Sequence, residues 1–213
     1  MEAEDEAWYE LLETGDTSVT QGDLLFDCIV PGDAIKNQKL ATEDDEEKLV
    51  YSPKRINAVV MTQSCQFEQN KAANVTLCAF IPLEELATSL KQQGVKNDTI
   101  KSLVSNMQAG RHATMLMLDE YKVPNQYGYK HGFLVLLLDN IYTTPYGDVC
   151  ETAERQEEPR LRLRTPYREY VNRAFGNQFS SIGLAKDIDR DATKELITAL
   201  LKAESEKPQN NHN

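Results

Sequence analysis

The stretch from Arg160 to Gly183 constrains the fold of this chain more than any other. Leu161 and Leu163 alternate with Arg160, Arg162 and Arg164, a period of two that predicts a strand with one apolar face and one guanidinium face. Thr165 then stands where an N-cap belongs, and Pro166 comes next at the first helical position, where its missing N–H costs nothing. Beyond it Tyr167, Tyr170, Val171, Ala174, Phe175, Phe179 and Ile182 recur at steps of three and four, which predicts a helix whose aromatic stripe must be buried. Its other face carries Arg168, Glu169, Asn172, Arg173 and Asn177, with Glu169 and Arg173 spaced to pair across one turn and Gly183 suited to end the helix. Two readings are open. Either the aromatics fill the core and the arginines are merely solvated, or Arg160, Arg162, Arg164, Arg168 and Arg173 form a binding patch for phosphate or carboxylate.

The patch stands out because the chain is acidic, with a net charge of −11. That charge is concentrated: residues 1–16 hold seven acids and no bases, and Glu43 to Glu47 are five acids in a row. The remaining 22 acids face 23 bases, so the body is close to neutral. The acidic run reads as a solvated loop, or as an arm that masks a nucleic-acid contact.

In chain order, Glu4 to Thr14 has Trp8, Leu11 and Leu12 at helical spacing and reads as a short helix closed by Gly15. Gly22 and Asp23 mark a turn into a strand over Leu24 to Val30, which Pro31-Gly32 is expected to end. Residues 33–54 read as a long acidic loop. Further strands are expected over Ile56 to Thr62, Val75 to Ile81, Ala113 to Leu118 and Phe133 to Tyr142. Between the strand at Val75 and the strand at Ala113 lie two helices, Glu84 to Gln93 and Asn97 to Ala109, the latter with Asn97 or Asp98 as N-cap. Thr143 to Pro159, with two prolines, Gly147 and several charges, reads as a surface loop; Asp191 to Ala203 reads as a last amphipathic helix. The pattern implies an α+β fold in one domain, 1–205, with a helical insertion at 83–110, C-terminal helices over 166–204 and a disordered tail, 206–213. Strands without regular β-α alternation argue for a strongly twisted antiparallel sheet or a small barrel rather than a doubly wound fold.

Three segments carry a resemblance: Gly22-Asp23 before a strand, Val59 to Cys65 ending in Thr62-Gln63-Ser64-Cys65, and Arg160 to Leu184. The chain resembles an uncharacterised prokaryotic family whose pattern is a GD-strand, a strand ending in T-Q-S-C-D and a closing R-L-x-S-P-Y-R-E-H helix. Gln66, Thr165 and Tyr170 stand where that family has Asp, Ser and His. More distantly, the strand order is similar to the SH3-like barrels of the MazF and PemK toxins, which are ribonucleases. In those toxins an arginine before the second strand and a hydroxyl after the third strand's Pro do the chemistry. Arg55 matches the first position, whereas Leu83 follows Pro82 in place of the hydroxyl. The resemblance implies an SH3-like barrel and a place in a prokaryotic defence locus, toxin–antitoxin or CRISPR-associated.

Candidate chemistry is sparse. Cys65 lies in a polar turn with Thr62, Gln63 and Ser64, and with His112 or His131 it would form a nucleophile–base pair if the thiol were activated. Cys28 and Cys78 sit in apolar runs as small core residues, and the four cysteines lack any C-x-x-C spacing, which argues against a zinc site or a disulfide framework and for a cytoplasmic setting. No metal-ligand, Walker or G-x-G-x-x-G pattern occurs, so neither metal nor cofactor is expected. The N-terminus has no signal-peptide pattern and the longest apolar run, Phe133 to Leu138, is too short to cross a bilayer, so no membrane partner is expected. Tyr121, Tyr127 and Tyr129 beside Lys122 and Lys130 suit either a protein interface or a stacking platform for single-stranded nucleic acid. The sequence therefore reads as a non-catalytic protein-binding or adaptor module using Arg160, Arg162, Arg164, Arg168, Arg173, Tyr127 and Tyr129. The alternative is a MazF-like endoribonuclease or nucleic-acid binder using Arg55, Thr62, Ser64 and Cys65 with the arginine patch.

Overall fold

The computed structural model describes residues 7–34, 51–69, 71–122, 125–179 and 194. The chain divides into two compact units, Met1–Phe179 and Ser180–Asn213. Lys194, which is helical, is the one described residue of the second unit; the sheet and its helices all belong to the first. The helix expected over 191–203, the stripe's end at Ile182 and Gly183, His212, the tail and the acidic run lie outside the described residues.

Among the described residues, seven strands are β1 (Tyr9–Leu12), β2 (Asp23–Ala34), β3 (Tyr51–Val60), β4 (Asn74–Pro82), β5 (Met115–Leu118), β6 (Leu134–Pro145) and β7 (Arg160–Leu163). Five helices are α1 (Ser64–Glu68), α2 (Leu83–Gln92), α3 (Asn97–Gln108), α4 (Tyr146–Glu154) and α5 (Tyr167–Phe179). The strands form one antiparallel sheet in the order β1-β7-β2-β3-β4-β6-β5, so the α+β class with a helical insertion holds. No helix among the described residues is long and apolar enough to cross a membrane.

Both faces of the central strands are apolar, and the period of two sorts them into layers. Val59 and Met61 face one core with Leu24, Phe80, Leu136, Leu161 and Val171, the last from α5. Ala58 and Val60 face the other with Cys28, Val30, Leu77 and, from α4, Val149 and Ala153. Toward β5 a third cluster, Met107, Met117 and Val135, seats α2 and α3.

Several local expectations give way to pairing. The N-terminal segment is a strand: Tyr9 pairs with Leu163 and Leu11 with Leu161, and the helical spacing of Trp8, Leu11 and Leu12 is overridden by that alternation. β2 runs through Pro31-Gly32 because Pro31 lies opposite Pro53 and, among the described residues, the flank of β2 beyond Leu24 has no neighbouring strand to miss a donor. A register shift between Leu25 and Cys28 puts Asp27 at φ 58, and Tyr51–Lys54 belong to β3 rather than to a loop. The segment 143–159 is not a surface loop: β6 continues to Pro145, and α4 comes next with Val149, Thr152 and Ala153 buried. The turn after β3 is helical as α1, α3 starts after Lys96 without a side-chain cap, and α5 starts at Tyr167 after a cis Thr165-Pro166 bond.

The sheet curls without closing. Lys54 donates to the Tyr142 hydroxyl at 2.8 Å although β4 separates β3 from β6 in the sheet. At the two ends, β1 and β5 share no ladder, yet Tyr9 donates its hydroxyl to the carbonyl of Asp119 at 2.7 Å, one residue past β5. The sheet's two margins therefore face each other.

Candidate functional site

The alternation of β7 sends Leu161 and Leu163 into the core, as expected, but the guanidinium side of the strand is not on display. Asp23, fully buried at the start of β2, receives Arg160 Nη1 at 3.0 Å and Arg162 through Nε and through Nη2 at 3.1 Å. Arg160 also donates to the carbonyls of Asp16 and Ser18, Arg162 reaches the Ser18 carbonyl at 3.3 Å and Glu10 at 3.7 Å, and Thr20 N–H donates to Asp23 at 3.2 Å. Burial pushes the Asp23 carboxyl up, opposed by the two guanidinium groups; burial works against the charge on Arg162, but Asp23 with Glu10 and Asp16 offsets it and holds Arg162 more firmly protonated. The result is a satisfied clasp that ties β7 to β2 and the 16–20 loop. Gly22 beside it has φ 90, and a Cβ there would press on Leu163 and the Arg168 stem, both at 3.2 Å. Arg160 and Arg162 are structural, which corrects their reading as patch residues.

Arg164 is half-buried, and Arg168 is held by Glu169 at 2.8 Å. Glu169 also accepts from Thr165 at 3.1 Å, so it is engaged on its own side of the helix and does not pair with Arg173. Arg173 is exposed and forms no ion pair among the described residues. The aromatic stripe of α5 is only partly covered: Val171 is buried, Tyr167, Tyr170, Ala174 and Phe175 are half-buried, and Phe179 is 56% exposed.

What the stripe leaves open is a cleft of about 890 Å³. One wall is α5, with Pro166, Tyr167, Glu169, Tyr170 and Arg173; the other is Gln108, Met117, Asp119 and Phe133 from α3, β5 and the start of β6. Trp8 closes one end, stacked on Tyr167 at 4.4 Å and set edge-on to Tyr170 at 6.3 Å. The Tyr170 hydroxyl presses toward Gly110, where a Cβ would lie 2.7 Å from it at φ +63. Behind Trp8, Tyr9, Tyr121, Tyr129 and His131 form an aromatic cluster. No protein-family model matches the chain, and no curated protein matches it. The cleft is a concave site lined by four aromatic and four polar or charged side chains together with Met117 and Pro166, the make-up of a binding pocket.

The residues read as catalytic do not converge. Arg55 is exposed and paired with Asp27, and β3 carries it away from Val60 by about 17 Å at the usual strand rise. At the far end Thr62 accepts Thr76 N–H at 2.8 Å and Ser64 Oγ accepts from Thr20 Oγ1 at 3.0 Å. Cys65 is exposed on α1 with Gln63 Oε1 3.8 Å from its sulfur. Neither histidine supplies it with a base: His112 Nδ1 accepts Met115 N–H at 3.1 Å, and His131 lies in the aromatic cluster with Nδ1 on the Gly132 carbonyl at 2.7 Å. Burial lowers the proton affinity of His131 and pushes the thiols of Cys28 and Cys78 up to about 12. Among the described residues no three His, Cys, Asp or Glu are grouped to hold a metal.

Two of the three loop tyrosines turn toward the core. Asn125 ties the loop down, accepting from Tyr127 and Tyr129 N–H and donating to the Tyr129 carbonyl, and Tyr121 and Tyr129 pack inward. Tyr127 alone of the three is exposed. The lining residues Trp8, Met117 and Asp119 carried no signal in the sequence beyond Trp8 being the chain's single tryptophan.

Proposed function

We propose that this chain is a non-catalytic protein-binding module that docks its partner in the aromatic cleft beside α5. The observation that carries this reading is the Trp8–Tyr167 stack, standing in a cavity of about 890 Å³ with the exposed Arg173 at its rim. Stacked aromatics beside an arginine are the residue types that dominate binding energy at protein interfaces. The separation of Arg55, on β3, from Ser64 and Cys65, on α1, supports a binding rather than a hydrolytic role.

The finer fold reading, a MazF- or PemK-like SH3-like barrel, draws support from the curl of the sheet and the Tyr9–Asp119 bridge between its margins. The experiment uses the full chain and its Tyr167→Ala and Arg173→Glu variants, matched for circular dichroism and melting. A purified partner is expected to quench or shift Trp8 fluorescence saturably with wild type and at least tenfold more weakly with either variant. Equal binding by all three places the partner elsewhere. Hydrolysis of single-stranded RNA by pure protein, abolished by Arg55→Ala, would replace this reading with the ribonuclease.

A further inference from the structure

We infer that the cleft is a strand-addition site, in which an extended peptide segment of the partner pairs its backbone with the outer edge of β5 at Met117; this rests on the docking function proposed above. The direction of the backbone groups comes from the ladder. Leu138 N–H donates to the Thr114 carbonyl at 2.8 Å, and Leu116 and Leu118 lie opposite Leu136 and Leu134. Alternate residues of an antiparallel strand point their N–H and C=O to the same side, so Thr114, Leu116 and Leu118 bond toward β6. Met115, Met117 and Asp119 then point outward, where the sheet has no further strand among the described residues.

Side chains cap the two ends of this outward row. Met115 N–H is taken by His112 Nδ1 at 3.1 Å, and the Asp119 carbonyl by the Tyr9 hydroxyl at 2.7 Å. Met117, between them, has no partner for either backbone group among the described residues. It also lines the cleft.

The cleft is shaped around that edge. The Met117 side chain belongs to the layer with Met107 and Val135, whereas Tyr167 and Tyr170 pack on the opposite layer with Leu116 and Leu118. A cavity touched by both layers must pass the margin of the sheet, because only there are both faces reachable. An added strand would place alternate side chains against Trp8 and Tyr170 on one face and Phe133 on the other. Two carboxylates also line the cleft, Glu169, already engaged by Arg168 and Thr165, and Asp119 at the β5 end, so Arg173 on α5 supplies charge for a ligand carboxylate only at the end away from Asp119. The partner segment is therefore extended, apolar on both faces, and acidic toward one end.

The probe is a library of capped octapeptides rich in Val, Phe, Tyr and Leu with one terminal Glu, titrated against the full chain. Trp8 fluorescence selects binders, and ¹⁵N spectra with amide exchange track Met117. The expected result is saturable Trp8 change, slowed exchange at Met117, and a loss of roughly tenfold or more when the pairing amide of the peptide is N-methylated. Arg173→Glu is expected to reverse the preference from Glu-ended to Lys-ended peptides. Binders that keep their affinity on N-methylation, or leave Met117 exchange unchanged, overturn strand addition while the docking function stands. No Trp8 response from any peptide, with a purified partner still saturating Trp8, also overturns it; no response from either removes both readings.

Discussion

Arg160 and Arg162 on β7 and Arg173 on α5 belong to one run of sequence and meet opposite fates. The first two converge on the buried Asp23 and the carbonyls of the 16–18 segment, which take up donors from both guanidinium groups. Arg173 lies beside aromatic rings, exposed and without an ion pair among the described residues. Local charge density does not separate them; what separates them is whether the topology brings a carboxylate within reach. Asp23 lies 137 positions from Arg160, and only the β2–β7 ladder makes them neighbours. An arginine-rich stretch is thus both fastening and bait, in proportions set by pairing.

The sharpest way to break this contrast is Asp23→Asn. It leaves the buried Arg160 and the largely buried Arg162 facing a neutral amide, and is expected to destabilise the protein by about 3–5 kcal/mol. A shift in the urea midpoint amounting to under about 1 kcal/mol would make the clasp no different from a surface pair. Tyr9→Phe removes one hydrogen bond and strands the Asp119 carbonyl, for an expected cost of about 1–2 kcal/mol by the same measurement.

His131 sharpens the comparison through pH. Burial lowers its proton affinity below the usual 6.5, its Nδ1 is committed to Gly132 and its Nε2 is buried without a partner among the described residues. The unfolded chain takes a proton that the folded chain resists, so the His131 contribution is complete above 6.5 and declines as pH falls below it toward the folded value. His131→Phe, placed among the rings of Tyr9, Tyr121 and Tyr129, is expected to flatten melting temperature against pH in that window. An unchanged slope would assign the acid sensitivity to another group. The smallest effect on stability belongs to Arg173→Glu, expected within about 0.5 kcal/mol of wild type in urea, with its consequence confined to ligand preference.

Much of the frame is legible in the sequence because its signals are local. β4 and the two inserted helices announce themselves by periodicity, and the alternation of Leu161 and Leu163 marks β7 and its buried face. β1 is hidden because four residues carry too short a pattern to tell one period from another until β7 selects it. α4 is hidden because Val149 and Ala153 are sparse among charges and gain their meaning only against Val30 and Leu77. The cleft is least legible. Its two walls come from separate stretches of the chain, Trp8 at its end is most of the chain away from the Tyr167 ring it stacks on, and the same α5 stripe that reads as core turns out to be half core and half lining.

Capping Met115 and Asp119 with an imidazole and a phenol has a consequence for colloidal behaviour. A bare sheet margin invites a second molecule to stack onto it and a third onto that, the first step toward fibrils. By stoppering the margin beyond Met117 at the Met115 N–H and the Asp119 carbonyl, the chain leaves a short gap, long enough to register one docked segment and too short for the extended ladder that such growth needs.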